Sequence, residues 1–299
     1  MKKISRKTFI KTTGAGLAGL TILPGIGVHG TDTVKTLVPL GSTGIMVTPL
    51  CFGASRAKDE ALISYALEKN MNFLDTGRSY ARGNNERLVG RVIKGRRKEV
   101  VVQSKMHLEE DELNYNGKGK RGSDEIHNIL SRRIEESLEA LATDYIDIML
   151  FHSADNIDLT FHDAVLKFYD NKKSEGVIRA HGFSSHDYEL NHVKRNNKDL
   201  FYDIIMHPFN FSGGFTHSLS KWTAAWDHEL LISLLKEASN KGTGIVAMKT
   251  CSAGAYKGGS DETPSYKSAV DWVLEKDYIH SAAVAMSSYD QINEHTKGA

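Results

Sequence analysis

The stretch that decides the fold is DEIHNILSRRIEESLEALATDYIDIMLFH, which covers residues 124–152. Within it, Asp124–Leu141 repeats apolar residues at three- and four-residue spacing, as one buried face of a helix does. Tyr145–His152 is a short and mostly apolar run, which is typical of a buried strand. The stretch therefore predicts a helix followed by a buried strand, and the same pair of patterns recurs in both directions along the chain.

Eight such strands alternate with helical segments. The predicted strands are Pro49–Ser55, Asn72–Thr76, Val100–Lys105, Tyr145–His152, Ile178–Ser184, Tyr202–Pro208, Gly244–Lys249 and Ser281–Met286. The predicted helices are Asp59–Lys69, Asn85–Lys94, Asp124–Leu141, Leu159–Lys173, His186–Arg195, Asp227–Asn240 and Ser265–Glu275. Strict alternation requires a parallel sheet, and eight strand–helix units close as a (β/α)8 barrel, the TIM barrel.

An open, doubly wound sheet is the alternative fold for this pattern. That fold favours a glycine-rich turn after the first strand, and Cys51–Ser55 does not supply one. Gly14–Gly19 has the spacing of a dinucleotide-binding turn, but it follows a lysine-rich terminus rather than a strand, so we set it aside. We expect residues 31–299 to form one α/β barrel domain, with an N-terminal hairpin at Leu40–Val47.

The first thirty residues have the composition of an export signal. Met1–Lys11 contains basic residues and no acid, and Thr12–Val28 is weakly apolar, glycine-rich and too short for a stable membrane span. Ser5–Lys11 is similar to a twin-arginine translocation motif, with Lys7 in place of the second arginine. We predict that residues 1–30 are a signal peptide that engages export machinery and places the protein in the periplasm or elsewhere outside the cytoplasm. A basic, uncleaved terminus on a cytoplasmic protein is the alternative.

Charge and cysteine content narrow the classes of partner. The chain has 299 residues, with Lys+Arg 38 against Asp+Glu 37 and a formal net charge of +1, which argues against a broad nucleic-acid-binding surface. Cys51 and Cys251 are the two cysteines, and they form no Cys-x-x-Cys pair for a zinc ribbon or iron–sulfur cluster. We therefore expect a small-molecule ligand, no nucleic-acid partner and no metal site.

Polar side chains stand at the ends of three neighbouring predicted strands. Asp75 ends the second strand, and Tyr80 follows it in a polar loop. Lys105 ends the third strand and His152 ends the fourth. Each residue alone has a structural explanation, such as capping a turn or packing in the core. In a (β/α)8 barrel, however, the carboxyl ends of the strands carry the chemistry, and the four together indicate an active site.

Several motifs surround these four residues. They are Asn72–Tyr80, Asn85–Gly90, Lys105 and Asp144–His152, extended by Leu40–Gly44 with Val47, Phe52-Gly53, Gly182–Ser185, and Ala285–Ser288 with Gln291 and Glu294. Their combination resembles the aldo-keto reductase family over nearly all of residues 31–299. Three positions depart from the family pattern: Gly77 replaces an alanine, Ser185 an asparagine that holds the nicotinamide amide, and Met206 a glutamine of the sixth strand.

The resemblance implies an oxidoreductase that uses NADP(H) or NAD(H) to reduce an aldehyde, ketone or sugar carbonyl, or to run the reverse reaction. It places the cofactor against Gly53, Ser55, Ser184, Ser185, Met206, Met248, Lys249, Ser287 and Gln291. Position 287 often carries a basic residue for the 2′-phosphate in the family. Because Ser287 is uncharged, we expect a weaker preference for NADPH than such a residue would give.

The chemistry of the four strand-end residues agrees with that activity. Reduction of a carbonyl develops negative charge on oxygen, which Tyr80 can protonate as general acid. We expect Lys105 to lower the pKa of Tyr80, Asp75 to keep Lys105 charged, and His152 to orient the carbonyl by a hydrogen bond.

Two other functions remain open from the sequence. A barrel of this family can retain its site while acting as a cofactor-sensing regulatory module, and turnover of any carbonyl separates the two. Alternatively, an exported enzyme could hold its cofactor tightly and pass hydride between two sugars.

Overall fold

The computed structural model describes residues 37–108, 122–152, 154, 156–216, 223–259 and 262–297. All of them belong to the unit Lys35–Ala299. The predicted export signal, residues 1–30, lies outside the described residues and stays a prediction. Within the described ranges, no helix is long and apolar enough to cross a membrane.

Eight parallel strands close into a barrel, as predicted, and two short antiparallel pairs lie outside it. All strands of the described residues, in chain order, are β1 (Val38–Pro39), β2 (Met46–Val47), β3 (Leu50–Gly53), β4 (Phe73–Asp75), β5 (Val101–Met106), β6 (Ile146–Phe151), β7 (Ile178–Ser184), β8 (Ile204–Pro208), β9 (Gly214–Thr216), β10 (Thr223–Ala225), β11 (Gly244–Met248) and β12 (Ser281–Ala285). The two antiparallel pairs are β1 with β2 and β9 with β10. The barrel order is β11-β12-β3-β4-β5-β6-β7-β8, and each neighbouring pair is parallel, including β12 with β3. The closed sheet rules out the open, doubly wound alternative. The first predicted strand is too long at its end, because Ala54–Arg56 forms a 3-10 turn and Ser55 lies in it.

The N-terminal hairpin is confirmed, and it closes one end of the barrel. β1 and β2 pair antiparallel, and Leu40, Ile45 and Val47 are fully buried in the same cluster as the inward-facing barrel residues. Gly41 turns the chain with φ +58, and a Cβ there would lie 2.4 Å from the backbone nitrogen of Gly244. The hairpin thus packs at the start of β11, at the amino ends of the strands.

Helices cover the outside of the barrel. They are α1 (Glu60–Glu68), α2 (Asn84–Ile93), α3 (Ser123–Leu141), α4 (Ile157–Thr160), α5 (Asp163–Ser174), α6 (Asn191–Asp199), α7 (His228–Asn240), α8 (Tyr266–Leu274) and α9 (Tyr289–Thr296). Their apolar faces pack on the outward-facing strand residues in one large buried cluster. The inward-facing residues form a second cluster, so the barrel interior is packed rather than open.

Two predicted helices differ from the structure. The predicted helix Leu159–Lys173 is two helices, because His162 lies outside helical geometry and its Nδ1 accepts a hydrogen bond from Ala164 N, which starts α5. The predicted helix His186–Arg195 begins later, at Asn191. Its start is displaced because the Asp187 carboxylate accepts backbone hydrogen bonds from Glu189, Asn191 and His192, which folds the preceding residues into a turn.

Candidate active site

The structure brings the four predicted strand-end residues together. Lys105 Nζ donates hydrogen bonds to Asp75 Oδ1 at 2.5 Å and to the Thr76 carbonyl at 2.7 Å. The same ammonium lies 4.8 Å from the centre of the Tyr80 ring. The Tyr80 and His152 rings meet edge to face, with 5.7 Å between their centres. Lys105 is therefore the centre of the group, bound to the carboxylate on one side and facing the phenol on the other.

Lys105 is a buried cation. Lys105 is 1 % exposed, and its partner Asp75 is also buried. Burial alone lowers the pKa of Lys105, but Asp75 and Tyr80 raise it, and the resulting pKa lies above the ordinary value for lysine. The ammonium consequently stays charged at neutral pH, as expected from the pairing with Asp75.

The pKa of Tyr80 differs from the sequence expectation. Burial raises the pKa of the phenol, and the Lys105 ammonium lowers it, but burial is the larger effect and the pKa lies above its ordinary value. Lys105 therefore acts in the expected direction, whereas the expected net lowering is wrong. A half-buried phenol with a raised pKa is protonated at neutral pH, which is the state that a proton donor needs.

His152 is neutral in this environment. Burial lowers its pKa well below the ordinary value for histidine, and the neighbouring side chains of Lys105 and His107 lower it further. Its Nδ1 lies 3.3 Å from Ser79 Oγ. If the serine hydroxyl donates to Nδ1, Nε2 carries the hydrogen and can donate to a carbonyl oxygen. The His107 ring lies edge-on to His152, with 5.9 Å between centres, and was not predicted from the sequence.

The loop that carries Tyr80 is anchored by an ion pair between the half-buried Arg78 and the buried Glu86. The Arg78 backbone N–H donates to the Lys105 carbonyl at 2.8 Å, and Arg78 Nη1 donates to Glu86 Oε2 at 2.6 Å. Glu86 is fully buried, and its Oε1 accepts from the Ser104 hydroxyl at 2.6 Å. These contacts tie the loop to β5 and α2, so the position of Tyr80 relative to Lys105 is set from outside the barrel as well as from inside.

The backbone after Tyr80 is tightly turned. Ala81 and Arg82 both have left-handed geometry, with φ 49 and 55, and Gly83 follows with φ +80. A Cβ at Gly83 would lie 1.6 Å from a guanidinium nitrogen of Arg78, so a side chain there would displace the arginine from its place across the loop. Left-handed geometry is unfavourable for alanine and arginine, and such geometry is often found at functional sites.

The Asp75 carboxylate has a second donor that sequence reasoning missed. Gln103 Nε2 donates to Asp75 Oδ1 at 2.7 Å, and it also lies 3.5 Å from Met206 Sδ. Gln103 is fully buried, and its Oε1 has no hydrogen-bond partner among the described residues. The available signal is strand alternation, which places residues 103 and 105 on the same face of β5.

The predicted cofactor residues lie at the carboxyl ends of five barrel strands, but their exposure differs. Ser55, Ser287 and Gln291 are exposed, Lys249 is half-buried, and Gly53, Ser184, Ser185, Met206 and Met248 are buried. Ser184 Oγ lies 3.9 Å from Met248 Sδ, and the Ser287 N–H donates to Gln291 Oε1 at 2.7 Å. A Cβ at Gly53 would lie 2.9 Å from the Ala285 nitrogen, so this glycine allows close approach of β3 and β12.

Positive charge collects at one part of this rim. Lys249 follows β11, and burial together with the charges of Arg56 and Lys105 lowers its pKa. Arg56 was not predicted. Nearby, α9 begins after Ser288, whose side chain accepts a hydrogen bond from Gln291 N. Cationic side chains and a helix N-terminus favour phosphate groups, so the residues present fit the dinucleotide that the sequence resemblance implies.

Comparison with known proteins gives the family. The family model described as "Aldo/keto reductase family" matches residues 50–278. The uncharacterized oxidoreductase YqkF of Bacillus subtilis (strain 168) is 33% identical over 141 residues, which cover 46% of this chain and 42% of that protein. The chain thus matches less than half the length of YqkF. L-galactose dehydrogenase of Arabidopsis thaliana is 24% identical over 299 residues, covering 85% of each protein.

Solved structures share the same fold. The aldo-keto reductase AKR11C1 from Bacillus halodurans, in its holo form, superposes with a TM-score of 0.67 at 23% identity and covers 88% of this chain and 90% of its own. An aldo/keto reductase from Klebsiella pneumoniae, solved with NADP and acetate, gives a TM-score of 0.63 at 19% identity over 88% of this chain and 89% of its own. The residues matched by the family model, 50–278, include most of the barrel strands. The chain therefore belongs to the aldo/keto reductase family of oxidoreductases.

Proposed function

We propose that this chain reduces an aldehyde, ketone or sugar carbonyl, or oxidises the corresponding alcohol, with Tyr80 as the general acid and base. The observation that carries the proposal is the buried Lys105 ammonium, which Asp75 holds at 2.5 Å and which faces the Tyr80 ring at 4.8 Å. A buried cation beside a protonated phenol is suited to a reaction in which that phenol gives up its proton.

The chain's own residues provide the proton and orient the carbonyl oxygen. When bound, NADPH or NADH supplies the hydride for the carbonyl carbon. The Tyr80 hydroxyl gives its proton to the oxygen as negative charge develops there, and Lys105 stabilises the phenolate that remains. His152, neutral and hydrogen-bonded through Nδ1, donates from Nε2 to the same oxygen. In the reverse direction the Tyr80 phenolate accepts the proton of the alcohol.

The same rim supports binding of the nicotinamide dinucleotide. Lys249 and Arg56 supply positive charge for the phosphates, and the start of α9 at Ser288 lies among the predicted cofactor residues. The Klebsiella relative of the same fold is solved with NADP. Because Ser287 carries no charge, the preference for NADPH over NADH is weaker than a basic residue there would give.

A sugar is the favoured class of carbonyl or alcohol. The support is the relative from Arabidopsis named L-galactose dehydrogenase, which aligns with 85% of this chain. Consumption of NADPH and NADH by the purified protein, measured with a panel of aldehydes, ketones and aldoses and in reverse with sugars, tests the proposal. Cofactor binding without turnover of any compound would instead favour the regulatory module.

The basic, glycine-containing composition of residues 1–30 supports export by the twin-arginine route. In that location the enzyme retains its cofactor tightly and transfers hydride between two sugars. Native mass spectrometry of the purified protein tests the cofactor, and a reporter that is active only after folded export, fused to residues 1–30, tests the location. Purified protein without bound cofactor would contradict tight retention of the cofactor. A reporter that stays in the cytoplasm would contradict export.

A further inference from the structure

A buried amide on the inner face of β5 has no role in the reaction described above. Gln103 is the direct cross-strand neighbour of Asp75 on β4 and of Ile148 on β6, so it lies at the same level of the barrel as Asp75. Most other inward-facing residues around it, such as Phe73 and Val101, are apolar. Packing alone could be satisfied there by an apolar side chain.

The orientation of this amide follows from its partner. A carboxylate only accepts hydrogen bonds, so the group that faces Asp75 Oδ1 at 2.7 Å must be the Nε2 of Gln103. With that orientation the Oε1 is left without a hydrogen-bond partner among the described residues. A buried acceptor without a partner is unfavourable, which makes a purely structural purpose for the amide less satisfactory.

Asp75 Oδ1 receives two donors, the Lys105 ammonium and the Gln103 amide. The carboxylate raises the pKa of Tyr80 by its charge, whereas Lys105 lowers it. A hydrogen bond from Gln103 fixes the rotamer of Asp75 and draws part of its negative charge away from the phenol. The amide is therefore placed to act on Tyr80 through Asp75.

We infer that Gln103 is a positioning residue, whose amide holds the Asp75 carboxylate against Lys105 and thereby sets the proton-donating strength of Tyr80. The inference rests on the proposed function, because it gives Gln103 a role in the proton transfer assigned to Tyr80. Gln103 touches no reacting atom in this role.

The test compares three variants with the parent. Gln103→Met keeps an unbranched side chain of similar length and removes the amide. Gln103→Glu keeps the shape and replaces the donor with a carboxyl group beside Asp75. Ile148→Val is the packing control, because it trims the neighbouring inward-facing residue without touching a polar contact. Each variant is measured by the pH profile of kcat and by the NMR resonance of Tyr80 labelled with ¹³C at Cζ, which is assigned by its loss in Tyr80→Phe.

In Gln103→Met, kcat is expected to fall about 10-fold, the scale seen when the outer partner of a functional group is removed, with KM for the carbonyl little changed. The alkaline limb of the profile moves to higher pH, because Asp75 then acts more strongly on Tyr80, and the Tyr80 resonance moves with it. Gln103→Glu shows the larger change, since a second carboxyl group adds negative charge or disrupts the pair. Ile148→Val changes neither the limb nor the resonance.

A parent-like pH limb and Tyr80 resonance in Gln103→Met would overturn the inference and reduce Gln103 to a packing residue. If Gln103→Met does not fold, the same parent-like result in Gln103→Glu overturns it. The NMR measurement needs no substrate. A failure to find any carbonyl that is turned over would thus contradict the proposed function, while the resonance still decides the position of Gln103 in the network.

Discussion

Two ion pairs, each with a buried carboxylate, lie on opposite faces of β5, and their surroundings differ. On the inner face, Lys105 pairs with Asp75 beside the phenol of Tyr80. On the outer face, Arg78 pairs with Glu86, which also accepts from Ser104. The inner pair places a positive charge next to the Tyr80 phenol, whereas the outer pair connects a loop to a helix. Two similar pairs can therefore serve chemistry or architecture, depending on what they face.

The largest effect is expected from Tyr80→Phe, which keeps the ring of the inner group and deletes its hydroxyl. Carbonyl reduction should fall by roughly 10²-fold or more, the usual scale for the loss of a general acid, while cofactor affinity stays within a few-fold. Steady-state kinetics and calorimetric titration of the cofactor measure the two quantities. Activity near that of the parent, with circular dichroism unchanged, would remove Tyr80 from its assigned role.

Lys105→Met should resemble Tyr80→Phe in kinetics, with a loss of roughly 10²-fold, because the phenol loses the charge that stabilises its ionised form. The methionine preserves much of the apolar stem of the lysine. A double variant should be little worse than the poorer single variant, since the two residues act as one proton-delivery unit. Multiplicative losses in the double variant would show that the two residues act independently.

Loss of the outer pair should reduce the stability of the fold more than it reduces catalytic activity. Arg78→Met leaves the buried Glu86 carboxylate without its cation and should lower the free energy of unfolding by about 2 kcal/mol near neutral pH. Urea unfolding measures this loss, and activity per folded molecule should fall much less than in Lys105→Met. A catalytic loss as large as that of Lys105→Met, with stability unchanged, would contradict the division between the two pairs.

The pH dependence of this loss has a definite sign. Burial raises the pKa of Glu86 above its ordinary value, while Ser104 and Arg78 act in the lowering direction. A raised pKa in the folded state means that the contribution of Glu86 to stability is full below the ordinary glutamate pKa of about 4.3 and is lost as pH rises through the folded value. Removing Arg78 raises that pKa further, so the destabilisation in Arg78→Met should grow as pH rises above the folded pKa that Glu86 has in the parent. Glu86→Gln added to Arg78→Met is the matched control, and it should abolish the pH dependence.

The smallest effect concerns the turn that joins the two pairs. Ala81 has φ 49, so Ala81→Gly should relieve unfavourable backbone geometry, although glycine also adds entropy to the unfolded chain. We expect a net stabilisation of about 0.5 kcal/mol, measured by urea unfolding. Gly95→Ala is the reverse comparison, because Gly95 has φ +84 and open space around it, and it should destabilise. Equal effects of the two substitutions would argue against strain at Ala81.

The barrel and its four strand-end residues could be predicted because both depend on local patterns. Apolar periodicity marks each strand and helix, and parallel strands bring their carboxyl ends to one face. The start of α6 could not be predicted in this way, because it depends on the carboxylate of Asp187 taking up backbone donors. The same limit applies to the break before α5, where a histidine side chain caps the helix.

The polar network of the site shows where sequence reasoning ends. Gln103 lies in a strand that is predicted from its apolar residues alone, so the pattern gives Gln103 no role. Its contact with Asp75 depends on a side-chain rotamer. Arg78 and Glu86 are eight residues apart, and only the folded loop brings them together. The net pKa of Tyr80 depends on how completely it is buried, which a motif does not report. Charge partners were therefore predictable, but the balance between their attraction and burial was not.

The hairpin that plugs the barrel also sets the direction in which the described chain enters. Leu37 directly precedes β1, which lies at the amino ends of the strands beside Gly244, whereas Tyr80 and Lys105 follow the carboxyl ends. Leu37 and the proposed catalytic residues thus lie at opposite ends of the barrel. A solid support or a fused carrier joined at Leu37 is therefore attached at the end of the barrel away from Tyr80 and Lys105, and immobilisation by this end is expected to leave those two residues uncovered.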